Sequence, residues 1–194
     1  MGSESGELIL KVPGSFKERV CFTPVFNRKP ASAATGMRLF GKTGKTGVPL
    51  PTVEHVDVAR YCGTWYEIAA IVRKRQRGCT HTKAEYTLTS EGRVRVGNSC
   101  RRNGKTVSVS AVASPVEGSG NAWLKVKFFG LFSANYRVIE LASDYSWAVV
   151  ANTSGSGVWV LGRTPYMSGE VYEAVVAKLR QRGIDVTRLQ KTPQ

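Results

Sequence analysis

Between residues 63 and 163 the chain is cut into short extended runs separated by tight-turn residues, and few folds tolerate that pattern. Runs at 64–72, 80–89, 93–100, 105–114, 122–129, 135–142, 146–152 and 157–163 are rich in β-branched and aromatic residues. Ser90-Glu91-Gly92, Asn103-Gly104, residues 117–121, Ser143-Asp144 and Ser154-Gly155-Ser156-Gly157 separate them, all residues that accept tight backbone geometry. Eight short strands in sequence suit a closed up-and-down antiparallel barrel, because closure removes the exposed edges. The first run, Gly63-Thr64-Trp65-Tyr66-Glu67-Ile68-Ala69, is apolar on both faces, so something covers its outside as well.

After residue 163 the period changes from two to that of a helix. Ser168 can cap a helix beginning at Gly169, with Glu170 and Glu173 at its positive end and Lys178, Arg180 and Arg182 at its negative end. Gly183 can close it. Val171, Val175 and Leu179 form an apolar stripe, with Tyr172 and Val176 beside it, that needs a wall, and Ile139, Leu141, Val158 and Val160 on the outward face of the barrel offer one. The expected fold class is all-β: an eight-stranded up-and-down barrel with one C-terminal α-helix packed on its outside.

No such pattern holds over residues 1–52, which read as a basic, largely irregular N-terminal extension ahead of a barrel domain at 53–194. Gly41-Lys42-Thr43-Gly44-Lys45-Thr46 has the flavour of a phosphate loop, but Leu39 stands where a glycine is needed and Gly47, Pro49 and Pro51 follow instead of a helix. Leu8-Ile9-Leu10 is broken by Lys11 and so makes no signal-peptide core, and Cys21 follows charged residues rather than the small apolar run of a lipid-anchoring site. No apolar run is long enough for a membrane-spanning helix. The expectation is a soluble cytoplasmic or organellar protein.

The net charge is +14. Eight Lys/Arg against Glu4, Glu7 and Glu18 give the first 52 residues +5, leaving +9 on the rest, so the excess is not confined to a tail. A basic surface implies acidic company: anionic lipid, nucleic acid or an acidic small molecule. No nucleic-acid motif accompanies it, and no aromatics are interleaved with the basic runs. His55 and His81, without a carboxylate or cysteine cluster at ligand spacing, make no metal site, and no cofactor motif is present. Folding strand two back on strand three sets Cys79 opposite Cys100, a pair that can bridge in an oxidising compartment and stays reduced otherwise.

Arg60-Tyr61-x-Gly63-Thr64-Trp65-Tyr66-Glu67-Ile68-Ala69, Gln76-Arg77-Gly78, Lys125-Val126-x-Phe128-Phe129-Gly130, Asp144-Tyr145 and Leu161-x-Arg163-Thr164-Pro165, in that order, resemble the motifs of the lipocalin family. The match is nearest to the bacterial outer-membrane lipocalin (Blc) and apolipoprotein D group and runs from about residue 53 to 194. It implies the barrel already read from the strands, a small hydrophobic ligand and a capacity for homodimers. The first fifty-odd residues have no counterpart in it.

Chain direction then places the functional ends. If strand one rises from a closed floor, strand eight descends to it and the turn between strands six and seven lies there too. Gly63, Trp65, Asp144, Tyr145 and Arg163 thus meet at the floor, with the Arg163 guanidinium over the Trp65 indole, worth about 0.5–2 kcal/mol. This is a structural set that closes the barrel. The opposite end carries Arg73, Lys74, Arg75 and Arg77, then Arg101, Arg102 and Lys105. The plainer reading of those cations is a solvated rim; the sharper one is a ring that favours an acidic head group.

Alternation nominates Glu67, Ala69, Ile71, Tyr86, Asn98, Phe128, Tyr136 and Trp159 as the ligand-binding set, in a lumen that also receives Leu88, Val94, Val96, Val138 and Leu161. An inward Glu67 must be paired, hydrated or protonated, with Tyr86, Tyr136 or an arginine as candidate partners. The function expected is carriage or storage of a fatty acid, lysophospholipid or similar molecule. The alternative is a basic surface module for anionic membrane or nucleic acid. Enzymatic chemistry, which would fall to Cys79 or Glu67, is not expected.

Overall fold

The computed structural model describes residues 49–71, 78–128 and 132–194. Strands β1 (Gly63–Ile71), β2 (Thr80–Leu88), β3 (Val94–Arg102), β4 (Lys105–Pro115), β5 (Trp123–Phe128), β6 (Phe132–Leu141), β7 (Trp147–Ala151) and β8 (Val158–Gly162) follow one another, each antiparallel to the next. β8 returns to pair with β1, and β1 pairs with β2 through Gly63–Tyr66, so the sheet closes on itself. The ends of the expected runs shift by only a few residues.

Period-two patterning shows directly in burial. On β5, Leu124, Val126 and Phe128 point inward while Lys125 and Lys127 are exposed. On β3, Val94 and Val96 are buried on either side of exposed Arg95. The inward side chains form one core with Trp65, Tyr86 and Leu161.

A second core lies outside the wall, under helix α2 (Gly169–Gln181). Val175 and Leu179 are fully buried there against Ile139, Val149, Val158 and Val160. The Ser168 side chain caps the helix by accepting from the Val171 backbone N–H, and Gly183, at φ +74°, ends it. Arg182 donates to outward-facing Glu140 at 2.6 Å and Lys178 approaches the same carboxylate, so the helix is pinned by ion pairs as well as by packing. The buried stripe is shorter than expected, because Val171 is exposed, while Val176 beside it is buried with Val175 and Leu179. Leu141 departs too, because a register shift between Val138 and Glu140 turns it toward the inner core.

Three short elements had no forecast. A one-turn helix α1 (Val58–Tyr61), capped by the Asp57 carboxylate, plugs the floor. A 3-10 turn (Val186–Arg188) leads to β9 (Gln190–Lys191), which pairs with Ala69 and Ala70 where β1 has parted from β2. Beyond it the Thr192 N–H bonds the Ile68 carbonyl and the His81 N–H bonds the Pro193 carbonyl, so the C-terminal residues bridge the seam between β1 and β2.

Most of the N-terminal extension lies outside the described residues. Contacts with the barrel begin before residue 53: the Leu50 carbonyl accepts from Arg137 Nε at 3.2 Å, and Leu50 packs on the outer core. The Val53 N–H then bonds Val138 and the Val56 N–H bonds Gly120, which lead the chain down to α1.

If the outer core holds the helix in place, Leu179→Ala is expected to cost about 2–5 kcal/mol in urea unfolding, with the m-value unchanged.

Candidate functional site

The site is built upward from the floor. Trp65 is fully buried, and its indole N–H donates to the Tyr61 carbonyl at 2.8 Å. The Arg163 guanidinium lies 3.8 Å from the indole centroid on the other side. Its donors are taken by the backbone carbonyls of Arg60, Cys62, Thr64 and Tyr145. One side chain thereby joins β8, the plug, the start of β1 and the β6–β7 turn. Gly63 sits at φ +99°, and a Cβ there would come within 3.3 Å of the guanidinium, so both conformation and space call for glycine.

Asp144 and Tyr145 complete the floor without touching the arginine through their side chains. The Asp144 carboxylate accepts from Ser146 N and Oγ, which hold its carboxyl below the usual carboxylate range. The Tyr145 hydroxyl accepts from the Asp57 N–H at 2.9 Å, and Arg60 covers its ring at 4.1 Å. The structure therefore brings together all five residues expected at the floor.

Above the indole lies a cavity of about 80 Å³. It exceeds several-fold the ~10–15 Å³ that one water needs. Glu67, Tyr86, Asn98, Phe128, Tyr136 and Trp159 line it, as the alternation of β1, β2, β3, β5, β6 and β8 implied, together with Val96 and Leu161. Ala69 and Ile71 do not. The register of β1 on β8 jumps between Glu67–Leu161 and Ala69–Val160, a bulge that turns the rest of the strand over. Ala69 and Ile71 consequently pack in the outer core beneath α2. Leu88 keeps the inward parity of Tyr86 but lies near the end of its hairpin and is 46% exposed.

Thr82, Lys83, Ala84, Leu124, Val126 and Val150 line the cavity without having been singled out. Thr82 and Ala84 carry the same parity on β2 as Tyr86, and Leu124 and Val126 the same as Phe128 on β5. The parity signal was present for these four, although their height along the strand was not. The Thr82 hydroxyl is buried and has no hydrogen-bond partner among the described residues.

Three phenols meet at the closed end. Tyr86 donates to Tyr136 at 3.0 Å, and the Tyr61 and Tyr136 hydroxyls are 2.7 Å apart. The Tyr61 ring packs 4.9 Å from Trp65 and edge-on to Tyr86. Burial pushes the Tyr86 phenol up to about 12 and raises Tyr61 and Tyr136 well above the usual value, so all three are neutral.

Glu67 finds a partner that sequence reasoning did not consider. Among the described residues neither tyrosine nor arginine meets it; the Thr192 hydroxyl donates to its carboxylate at 2.6 Å, and Gln194 donates to its backbone carbonyl. Burial raises the Glu67 carboxyl above its ordinary value, and the bond from Thr192 offsets part of that rise.

At the mouth, Arg101 is exposed and Arg102 half-buried near the end of β3, while Arg73, Arg75 and Arg77 lie outside the described residues. Cys79 and Cys100 are joined as a disulfide, their Cα atoms 5.6 Å apart. Among the described residues no three His, Cys, Asp or Glu are grouped to hold a metal ion.

The Lipocalin-like domain family model matches residues 56–194. Temperature-induced lipocalin-1 of Arabidopsis thaliana is 34% identical over 154 residues, spanning 75% of this chain and 83% of that protein. Outer membrane lipoprotein Blc of Escherichia coli K12 is 35% identical over 138 residues, 70% of this chain and 78% of its own length. Bovine apolipoprotein D is 34% identical over 154 residues, 74% and 80% of the respective chains. Among solved structures, insecticyanin from Manduca sexta superposes with a TM-score of 0.62 at 18% identity, covering 80% of this chain and 86% of that one.

Two outcomes follow from the site. Arg163→Lys keeps the charge but cannot fork to four carbonyls, and is expected to cost about 2–3 kcal/mol in chemical unfolding. For Glu67, a folded-state pKa above the unfolded one means that stability is full below the unfolded value, near 4.5, and declines as pH rises toward the folded value. Glu67→Gln should remove that decline, so thermal midpoints of variant and parent diverge as pH rises from 4.5 toward neutrality, with the variant higher.

Proposed function

This chain belongs to the lipocalin family, whose members bind small hydrophobic molecules, and we propose that its barrel carries a slender amphiphile such as a fatty acid or lysophospholipid. The observation that carries this reading is the apolar cavity walled by Phe128, Trp159, Val126 and Leu161 above a locked floor. The names of two relatives, outer membrane lipoprotein and apolipoprotein, link those proteins to lipid.

The net charge of +14 and the exposed Arg101 support an acidic head group at the mouth. The same charge supports peripheral contact with anionic membrane, which would assist delivery. A catalytic role is disfavoured, because Cys79 is tied to Cys100 and offers no free thiolate.

Lipids extracted from the purified protein and identified by mass spectrometry, with displacement of a fluorescent fatty acid, test the proposal. One acyl ligand per chain is expected; no uptake of any acyl ligand overturns it. Arg101→Glu is expected to weaken decanoate roughly two- to fivefold at low salt, to leave its methyl ester unaffected, and to lose its effect as salt rises.

A further inference from the structure

The tyrosine cluster at the closed end has one hydrogen more than it can use. Each phenol carries a single O–H donor. Tyr86 spends its hydrogen on Tyr136, and the 2.7 Å contact between Tyr61 and Tyr136 uses one more from either side. If Tyr61 donates, the remaining hydrogen is on Tyr136, which lines the cavity; if Tyr136 donates, it is on Tyr61, one hydroxyl further in. No side chain or backbone carbonyl among the described residues accepts it. Tyr61 and Tyr86 are 4% and 5% exposed, whereas Tyr136 is half-buried against the cavity, so the spare hydrogen is met by whatever fills that cavity, water or a guest. Buried donors without acceptors are rare and costly, and this one lies beside the space left for a guest.

A second unmet group shares the cavity. Thr82, 4% exposed, presents a hydroxyl with no partner among the described residues. The charge nearest the deep end offers no donor to a guest: the Arg163 guanidinium stacks on Trp65 with its N–H groups held by the floor carbonyls, and it reaches Tyr61 only as a through-space field. An anionic oxygen at the phenols would be buried with no cation in hydrogen-bond contact, whereas a neutral oxygen needs only the spare hydrogen.

The geometry points to a deep subsite for a neutral oxygen acceptor, formed by Tyr61, Tyr86 and Tyr136. This rests on the carrier reading and narrows it: the ligand is an apolar chain bearing a carbonyl, ether or hydroxyl oxygen near the end that enters first. Oxygenated acyl chains meet that description and plain saturated ones do not.

The test compares decanoic acid with 9-oxodecanoic acid, which share a head group and differ only by a ketone near the tail, by displacement of a fluorescent fatty acid. In a wholly apolar pocket the ketone loses its bonds to water and the oxo acid binds more weakly. The intact protein is expected to bind it at least as tightly as decanoate. In the Tyr61→Phe/Tyr86→Phe/Tyr136→Phe variant, which removes every phenolic hydrogen of the cluster, the ratio of oxo-acid to decanoate affinity should fall about tenfold. Tyr86→Phe alone leaves two hydroxyls sharing one bond, still with a hydrogen to spare, and should keep the preference.

Should the triple variant fail to fold, the intact protein decides alone. Decanoate bound normally with the oxo acid at least tenfold weaker overturns the subsite, as would occur if a retained water held the hydrogen. Failure of both acids to displace the probe overturns carriage itself and the subsite with it.

Discussion

Arg163 stacked on Trp65 is the contact on which the rest of the molecule depends. A barrel closed only by strand pairing would have an open lower rim, and water entering there would reach the indole and the phenols above it. The guanidinium prevents this by acting twice. Its face covers the aromatic ring, and its edge gathers carbonyls from the plug, from β1 and from the β6–β7 turn. Carbonyls that would otherwise be left at a helix end and a strand start are satisfied by the group that seals the floor. Above this seal the lumen can remain apolar and partly empty, because nothing inside is needed to hold the base together.

The strands themselves were readable because a half-buried strand writes its period into the sequence, and tight turns need a short list of residues. The floor was readable for a different reason: once the strands alternate in direction, residues far apart in the chain must come to the same end. The β1 bulge left no such trace. Ile68, Ala69, Ala70 and Ile71 are apolar whichever way they face, so turning the strand over changes no polarity pattern, and Ala69 and Ile71 were placed in the lumen when they belong under the helix. Helix α1 is a single turn and has no period to detect. Glu67 shows the limit most clearly, since its partner Thr192 is 125 residues away and a long-range contact between two side chains has no local signature.

Polar groups inside an apolar barrel divide into those the fold satisfies and those it leaves open. Glu67 belongs to the first kind, bonded by the C-terminal segment and shifted toward its neutral form by burial. The phenols and Thr82 belong in part to the second. The fold thus meets the needs of the group that would cost most if left alone, a carboxylate, and leaves unmet hydroxyls whose neutrality makes the shortfall tolerable.

The seam between β1 and β2 bears on how the protein is made. The wall there is finished by residues 190–194, which hydrogen-bond to Glu67, Ile68 and His81 more than a hundred positions earlier. During synthesis the mouth-side edges of the first two strands must wait until residues 190–194 have left the ribosome. A nascent chain carrying all eight barrel strands still has an unfinished side, with unpaired backbone on β1 that can template pairing with another chain. Completion of this barrel therefore waits on residues that follow the eighth strand and the helix, and chaperone dependence would be concentrated in the interval before those residues emerge.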